Sequence, residues 1–303
     1  MNYERMNKFN GCIFGLAIGD ALGYQVEFLR LNEIKRRYGL QGITDIGRGI
    51  YSDDTQQTLC IARSLIKYAH GDANQLMEEM ARELADWSIS PHNNRAPGRT
   101  SMSACRKLVN GTYWKESGLD SESCGSAMRA APIGLVYHDN EQRLIEIAIN
   151  SSVITHANPT AIAAAVGAAL AVAYAYRNED IENFIEYIVE RTEMISVKFA
   201  DKIKAINTLL ELDPEKAFEI IGRGLNGHET VAGALYAFLR SPNDYRKTIL
   251  TAANTEGDSD SFACIAGAIS GAYNDIEAIP KEWLDKIENR ECLGRISHEL
   301  SCI

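Results

Sequence analysis

The sequence predicts an all-α fold in which residues 1–303 form a single compact helical bundle. Through most of the chain, apolar residues recur at the three- and four-residue spacing of a buried helical face. No segment shows the alternation of a half-buried strand, and no fixed-period repeat or low-complexity linker divides the chain. Hydrophobic residues make up 46% and charged residues 24%, a composition typical of a globular protein that can bury a core.

Small residues are frequent in the first predicted helix, residues 7–22. Glycine inside a helix costs about 1 kcal/mol relative to alanine, so this density indicates close approach of another backbone or of a ligand. The next predicted helix follows an acidic turn at residues 51–55 and has an apolar face that begins at Leu59. Further helices are predicted over residues 73–88, 101–108, 161–176, 181–212 and 231–239.

Charge and cysteine content narrow the classes of function. The net charge of −10 argues against nonspecific binding to nucleic acid or to an anionic membrane. The alanine-rich run at residues 161–176 is too short to span a bilayer, and we interpret it as a buried helix. The N-terminus lacks the pattern of a signal peptide, and the seven scattered cysteines include no CxxC motif. We therefore expect a cytoplasmic, monomeric protein with reduced thiols and no membrane segment.

The stretch at residues 254–261 carries the strongest chemical signal. Asp258 and Asp260 are two residues apart, so in an extended turn both can reach one ion, and Ser261 adds a hydroxyl group. Carboxylate, hydroxyl and backbone oxygens are hard ligands that suit Mg²⁺, Mn²⁺ or Ca²⁺ rather than zinc. The alternative is that Asp260 or Ser261 only caps the helix that follows.

That following helix has a face on which small residues recur every four positions, at Ala263, Gly267 and Gly271. Another helix could approach this face closely.

A second acidic turn has the same makeup as the first. Ser52, Asp53, Asp54 and Thr55 also precede a helix. Adjacent carboxylates repel each other, and one helix terminus offers only about half a positive charge to offset them. Two such turns brought together would be costly unless cations bridged them. The sequence therefore predicts one cation site assembled from both ends of the chain.

Other positions have two interpretations each. Gly125 and Ser126 at a helix start offer backbone N–H groups that could bind a phosphate, but without a Walker lysine the signal is weak. His156 could be a base or a ligand, although a hydrogen-bonded structural histidine near a helix cap is the favoured interpretation. Glu27 lies among apolar residues, and composition alone predicts a solvated glutamate at a helix end.

The chain resembles the ADP-ribosylglycohydrolases, the family that includes dinitrogenase reductase-activating glycohydrolase. The resemblance covers most of the chain, from residue 11 to residue 273, and its motifs occur in the family's order. The matching pieces are GCIFGLAIGDALGYQVEF, YSDDTQQTL, RAPGRTS, CGSAMRAAPIGL, THANPTAIAAA, GALYAFL and GDSDSFACIAGAISGAY. The resemblance implies an all-α bundle with a binuclear site for two divalent cations, magnesium or manganese. It also implies hydrolysis of the N- or O-glycosidic bond between ADP-ribose and a modified group.

Carried over position by position, the resemblance assigns roles to residues of this chain. Glu27 would act as general acid/base or position a water, and Asp258 would be the second catalytic residue as well as a ligand. The implied metal ligands are Ser52, Asp53, Asp54, Asp258, Asp260 and Ser261.

The substrate pocket is implied by other matching motifs. The loop at residues 125–129 would cradle the diphosphate and ribose. The implied substrate-binding residues are Gly98, Gly125, Ser126, Ala127, Met128 and His156. The chain departs from the family in having serines for the commoner threonines at positions 52, 259 and 261, which keeps the hydroxyl groups. It also has Thr255-Glu256 where glycine is more usual, a change that could alter access to the metals.

The function implied is metal-dependent hydrolysis of ADP-ribosylated protein side chains, with arginine as the expected linkage. Two cations would orient the ribose hydroxyls and lower the pKa of a water that attacks the anomeric carbon. A second hypothesis is a binding protein that blocks an ADP-ribosyltransferase partner, with hydrolysis secondary or absent. A third is a structural relative that has lost catalysis, and the full acidic ligand set counts against it. The sequence leaves the first two open.

Overall fold

The computed structural model describes residues 3–303. Helices joined by turns and loops form this part of the chain, and no strand occurs in it. Isolated bridges pair Leu119 with His156 and Ser123 with Asn226. The predicted all-α fold is therefore confirmed. The first eight helices are α1 (Tyr3–Gly23), α2 (Leu31–Tyr38), α3 (Asp53–Tyr68), α4 (Ala73–Ile89), α5 (Arg99–Val109), α6 (Trp114–Ser117), α7 (Ala131–Val136) and α8 (Glu141–Val153). The remaining helices are α9 (Pro159–Tyr176), α10 (Phe184–Thr192), α11 (Val197–Leu209), α12 (Pro214–Ile221), α13 (Gly227–Arg240), α14 (Tyr245–Ala253), α15 (Ser259–Asn274), α16 (Lys281–Leu284) and α17 (Arg290–Ser301).

Most predicted helices differ from the observed ones only at their ends. The helical region predicted over residues 181–212 contains a 3-10 turn, Ile181–Asn183, followed by α10 and α11. A new helix starts at α11 because the Ser196 hydroxyl accepts a hydrogen bond from the Phe199 N–H group. Helix α13 begins four residues before its predicted start at position 231, at Gly227.

Helix α9 is the buried core helix that the sequence predicts. Within residues 3–303 it is the one helix long and apolar enough to cross a membrane, but 83% of it is buried inside the fold. Helices α7, α8, α10, α13 and α15 surround it. Its start has a proline at the first position, and the Asn158 side chain accepts a hydrogen bond from the Thr160 N–H group.

Helices α1 and α15 run antiparallel with their backbones in direct contact. A Cβ atom added to Gly267 would lie 2.2 Å from the carbonyl oxygen of Gly15, and one added to Gly271 would lie 2.0 Å from that of Gly11. Side chains cannot fit between backbones at these distances, which explains the small residues at four-residue spacing in both helices. The predicted close approach of a second helix to α15 is confirmed, and that helix is α1.

We call this contact the glycine seam, and it aligns the ends of the two helices. The seam comprises Gly11, Gly15, Gly19 and Gly23 of α1 and Ser259, Ala263, Gly267 and Gly271 of α15. A Cβ atom on Gly23 would lie 2.5 Å from the backbone nitrogen of Asp260. The Ser259 hydroxyl also donates a hydrogen bond to the Gly23 carbonyl at 3.0 Å. The C-terminal end of α1 is thereby held against the acidic N-terminal end of α15.

We predict that Gly267→Ala destabilises the protein strongly. Overpacking of a close contact typically costs about 1–3 kcal/mol in the free energy of unfolding, and here the opposing atom is backbone that cannot move aside alone. Gly294→Ala in α17 is the matched control, because the nearest heavy atom to its added Cβ is Phe14 Cζ at 3.9 Å. Denaturant unfolding of both variants checks the prediction. Equal stability of the two variants would contradict a limiting backbone contact.

Candidate active site

Two helix N-termini carry the acidic turns. Helix α3 begins at Asp53, and its N-cap is Ser52, whose hydroxyl accepts a hydrogen bond from the Asp54 N–H group at 3.2 Å. Helix α15 begins at Ser259, and the Asp258 side chain at its N-cap position makes no capping hydrogen bond. Capping therefore does not account for Asp258, whereas the Asp260 carboxylate accepts a hydrogen bond from the Ser261 N–H group at 3.0 Å.

The two acidic turns meet in one cluster. Carboxylate oxygens of Glu27, Asp258 and Asp260 all lie within 4.8 Å of one another. The Ser261 hydroxyl of α15 donates a hydrogen bond to the Asp54 carboxylate of α3 at 2.7 Å. Residues from both ends of the chain therefore meet in one cluster, as the sequence predicts.

All six predicted ligands are buried in this cluster. The Ser52 hydroxyl lies against the Asp260 carboxylate, and the charge of Asp53 acts on Asp54. The exposed fractions of the ligands are 0% for Ser52, 5% for Asp53, 3% for Asp54, 7% for Asp258, 3% for Asp260 and 1% for Ser261.

Burial gives these acids unusual electrostatics. None of the ion pairs formed within residues 3–303 involves an acid of the cluster. Loss of solvent, followed by the charge of Asp260, raises the pKa of Asp53 to about 8. The same two causes, in the same order, raise the pKa values of Asp54 and Asp258 well above the ordinary range. No basic side chain in this range forms an ion pair with these carboxylates, so burial and the charges of neighbouring acids favour their protonated forms.

The donor set fits a hard divalent cation. Carboxylate and hydroxyl oxygens are the ligands that Mg²⁺, Mn²⁺ and Ca²⁺ prefer. Cations would also supply the positive charge that the buried carboxylates lack. The six predicted ligands are thus compatible with cation binding in both chemistry and location.

Asp20 is a member of the cluster that the sequence did not identify. It is fully buried and accepts hydrogen bonds from the Ser52 N–H group at 2.8 Å, the Thr55 N–H group at 2.9 Å and the Thr55 hydroxyl at 2.5 Å. Burial, followed by the charge of Asp260, raises the pKa of Asp20 to about 7. Asp20 fastens the end of α1 to the first acidic turn. The local signal for it is an acid in an otherwise apolar and glycine-rich helix.

Gln57 and Arg129 support the cluster from behind. The Gln57 amide donates a hydrogen bond to the Asp53 carboxylate at 2.6 Å and accepts one from the Arg129 guanidinium at 2.6 Å. Arg129 is fully buried and also donates to the Thr155 hydroxyl at 2.7 Å. The Arg129 side chain therefore points into the protein, although it belongs to the loop that the resemblance assigns to the diphosphate.

The loop at residues 124–128 forms one wall of the site. The Cys124 thiol donates a hydrogen bond to the Asp258 carboxylate at 2.9 Å, a contact that the sequence did not predict. The helix start expected at Gly125 is a single 3-10 turn, Cys124–Ser126, packed against the His156 ring. Ser126 accepts a hydrogen bond from the Ser152 hydroxyl at 2.9 Å. The neighbouring residues Ala127 and Met128 are buried as well, 1% and 4% exposed.

His156 is a structural histidine, as its position near a helix cap suggested. It is fully buried, and its ring nitrogens pair with the Ser123 hydroxyl at 2.9 Å and the Thr155 hydroxyl at 2.8 Å. Burial, followed by the charge of Arg129, lowers the pKa of His156 to about 3, so the ring is neutral. Its ring holds the loop that carries Cys124.

Gly98 lies at the open side of the cluster. It is exposed, with no heavy atom within 4 Å of where its Cβ would be. Its backbone N–H group hydrogen-bonds the Asp53 carboxylate. A ligand that approaches Asp53 from solvent would pass beside Gly98.

Comparison with known proteins assigns the family. The model of the ADP-ribosylglycohydrolase family matches residues 1–301. The chain belongs to the ADP-ribosylglycohydrolase family. Members of this family hydrolyse linkages to ADP-ribose and use divalent metals, so the chain is a hydrolase that acts on ADP-ribosylated substrates, and its structure contains a carboxylate cluster.

The chain is also similar to individual proteins over almost its whole length. The chain is 34% identical over 299 residues to an uncharacterised protein of Archaeoglobus fulgidus, covering 97% of this chain and 95% of that one. It is 26% identical to ADP-ribosylhydrolase ARH3 of Bos taurus, with coverage of 94% and 90%. It is 27% identical to ADP-ribosylarginine hydrolase Tri1 of Serratia proteamaculans, with coverage of 98% and 80%. A solved structure described as an ADP-ribosylglycohydrolase-related protein complex has a TM-score of 0.76 at 26% identity, and the match covers 99% of this chain and 98% of that one.

The expectation from composition that Glu27 is a solvated glutamate is wrong for this ADP-ribosylglycohydrolase. The turn after α1 folds back onto the second acidic turn, where the Phe28 N–H group donates to the Gly257 carbonyl at 2.7 Å. Glu27 is consequently half-buried beside Asp258 and Asp260. Burial, followed by the charge of Asp260, raises the pKa of Glu27 to about 9.

We predict that the metal-free hydrolase loses stability as the pH rises from 6 to 9. A carboxyl group whose pKa is raised in the folded state adds stability below its unfolded pKa of about 4 and loses that contribution as the pH passes the folded pKa. For Asp20, Asp53 and Glu27 the folded pKa values are about 7, 8 and 9. Melting temperatures in chelator should therefore fall over this range, and the rise on adding Mg²⁺ should grow with pH.

The control for this prediction is Asp45→Asn. Lys286 lowers the pKa of Asp45, so its contribution to stability is already complete at pH 6 and should stay constant up to pH 9. The Asp45→Asn variant should retain the wild-type slope, whereas Asp258→Asn should reduce it. A melting temperature independent of pH in chelator would show that the cluster does not oppose folding.

Proposed function

We propose that this hydrolase releases ADP-ribose from ADP-ribosylated arginine side chains of proteins and depends on two divalent cations. The observation that carries the proposal is the carboxylate cluster, with Glu27 at its partly exposed edge. Similarity to Tri1, described as an ADP-ribosylarginine hydrolase, supports arginine as the linkage. The description of ARH3 specifies no linkage.

Six residues supply oxygens for the cations. Once bound, divalent cations orient substrate hydroxyl groups and lower the pKa of water. Asp20 and Gln57 would keep the ligand-bearing turns in place, since they hydrogen-bond Ser52, Thr55 and Asp53. The assigned cation ligands are Ser52, Asp53, Asp54, Asp258, Asp260 and Ser261.

Glu27 is the acid that we assign to the leaving group. In the metal-free protein, burial and the charge of Asp260 raise the pKa of Glu27 to about 9. In its protonated form the Glu27 carboxyl can give a proton to the departing nitrogen as the bond between the anomeric carbon and that nitrogen breaks. The resulting carboxylate can then accept a proton from the water that bonds to the anomeric carbon.

We assign the diphosphate and ribose to the face formed by residues 124–128 and Gly98. Contact of Cys124 with Asp258 and of Gly98 with Asp53 places both segments beside the cluster. The side chains of Ser126 and His156 are hydrogen-bonded inside the protein, so they would act by holding the loop backbone.

We predict release of ADP-ribose from an arginine-linked protein substrate, with little release from serine-linked or ester-linked substrates. EDTA should abolish the activity and excess Mg²⁺ or Mn²⁺ should restore it, because the buried carboxylates would hold the cations that activate water. Product quantification on the three substrates, with and without chelator, is the measurement. Activity that EDTA does not affect, or none on any linkage, would favour a binding protein that blocks an ADP-ribosyltransferase.

We predict that Glu27→Gln lowers turnover by about 10²–10⁴-fold, because glutamine cannot transfer the proton. Cation occupancy should be measured in the same variant by calorimetric titration, since a lost ligand would also lower the rate. Glu186→Gln is the control, because Glu186 is exposed on α10 and a surface change of this kind alters stability by less than about 0.5 kcal/mol. Full turnover with both cations bound would remove Glu27 from the chemistry.

A further inference from the structure

The start of α2, the Arg223 segment and the acidic turn before α15 meet at Glu256. The Leu31 N–H group, at the start of α2, donates a hydrogen bond to Glu256 Oε1 at 3.0 Å. The Arg223 guanidinium lies 3.6 Å from Glu256 Oε2. Two residues further on, the Asp258 N–H group donates to the Arg223 carbonyl at 2.8 Å. One carboxylate thus joins the segment after Glu27 to the turn that carries Asp258.

The segment from Phe28 to Leu31 is held to this turn at both ends. The Phe28 N–H group donates to the Gly257 carbonyl at 2.7 Å, beside the bond from Leu31 to Glu256. Phe28 has φ of 58°, a left-handed conformation that an aromatic residue rarely adopts. A strained residue directly after Glu27 persists only when surrounding contacts hold it, and these two hydrogen bonds do so.

The junction that Glu256 bridges carries acidic groups on both of its sides. Glu27 is on the turn after α1, whereas Asp258 and Asp260 start α15, and carboxylate oxygens of the three lie within 4.8 Å of one another. The distance between the two segments therefore sets the spacing of these carboxyl groups. The negative charge of Glu256 also lies at the N-terminus of α2, where it is favourable.

We propose that Glu256 is a positioning residue that clamps the Glu27 segment to the acidic turn and so sets the spacing of Glu27 from Asp258 and Asp260. The catalytic part of this inference rests on the proposed function of Glu27.

The test uses Glu256→Gly and Glu256→Gln in the full-length protein. Glutamine keeps an oxygen that can accept the Leu31 N–H group, whereas glycine removes it. Loss of an outer residue that orients ligands typically costs about 10–100-fold in metal affinity or activity. We expect Glu256→Gly to lose about 10-fold in Mn²⁺ affinity by calorimetry and a similar factor in kcat with little change in KM. Glu256→Gln should restore both values to near wild type.

A second variant removes the same hydrogen bond from its donor side. Leu31 is the first residue of α2, where proline is tolerated, so Leu31→Pro deletes the N–H group and leaves the helix start compatible. If the Leu31 bond carries the effect, Glu256→Gly should lower Mn²⁺ affinity in the wild type and add little in the Leu31→Pro background. Amide hydrogen exchange over residues 28–35 should speed up in Glu256→Gly and stay near wild type in Glu256→Gln.

The outcomes separate the clamp from the proposed function. Unchanged exchange over residues 28–35 in Glu256→Gly would overturn the clamp. Faster exchange with unchanged Mn²⁺ affinity and kcat would overturn its positioning role, as would a Glu256→Gln variant as impaired as Glu256→Gly. A wild-type protein that releases no ADP-ribose from any linkage would refute the proposed function alone, because exchange and Mn²⁺ titration still decide the clamp.

Discussion

Backbone contact between α1 and α15 is the constraint on which the rest of the site depends. Glycines on α1 face only small residues of α15 along the contact, so the separation of the two helices is set mainly by backbone atoms. The antiparallel register then brings the C-terminal end of α1 to the N-terminal end of α15. Asp20 reaches back to the first acidic turn from α1, and the turn after α1 delivers Glu27 to the second. A wider seam would disperse the same acids over separate surfaces.

Burial in this arrangement makes ionisation of the carboxyl groups costly. Hydrogen bonds offset part of this cost: Asp20 accepts three, Asp53 accepts one from Gln57, and Asp54 accepts one from Ser261. The N-termini of α3 and α15 offset a further part through their partial positive charge. The raised pKa values indicate that these contributions are incomplete. Folding of the site and binding of cations are therefore expected to be coupled.

Membership of the ADP-ribosylglycohydrolase family establishes the class of chemistry, while the contacts assign parts to individual residues. Some side chains that the sequence suggests for catalysis or substrate binding instead hold neighbouring residues in place. His156 is neutral and bonded at both nitrogens, and Arg129 is buried against Gln57. Conversely, a glutamate that composition treats as a surface residue lies within the cluster. Burial and partners, rather than residue type, distinguish these roles.

The sequence by itself determined the helical fold, the small-residue faces and the two acidic turns as parts of one site. These signals are local: apolar residues recur at helical spacing, glycines lie four residues apart, and adjacent carboxylates repel each other unless a cation bridges them. Tertiary structure alone decided which helix fills the small face of α15, the burial of Glu27 and the contact of Cys124 with Asp258. Such contacts join residues far apart in the sequence, as between Gly23 and Ser259, which are 236 positions apart, and no spacing along the chain encodes them. The packing of the whole bundle determines which residues come into contact, because each close approach depends on the positions of the other helices.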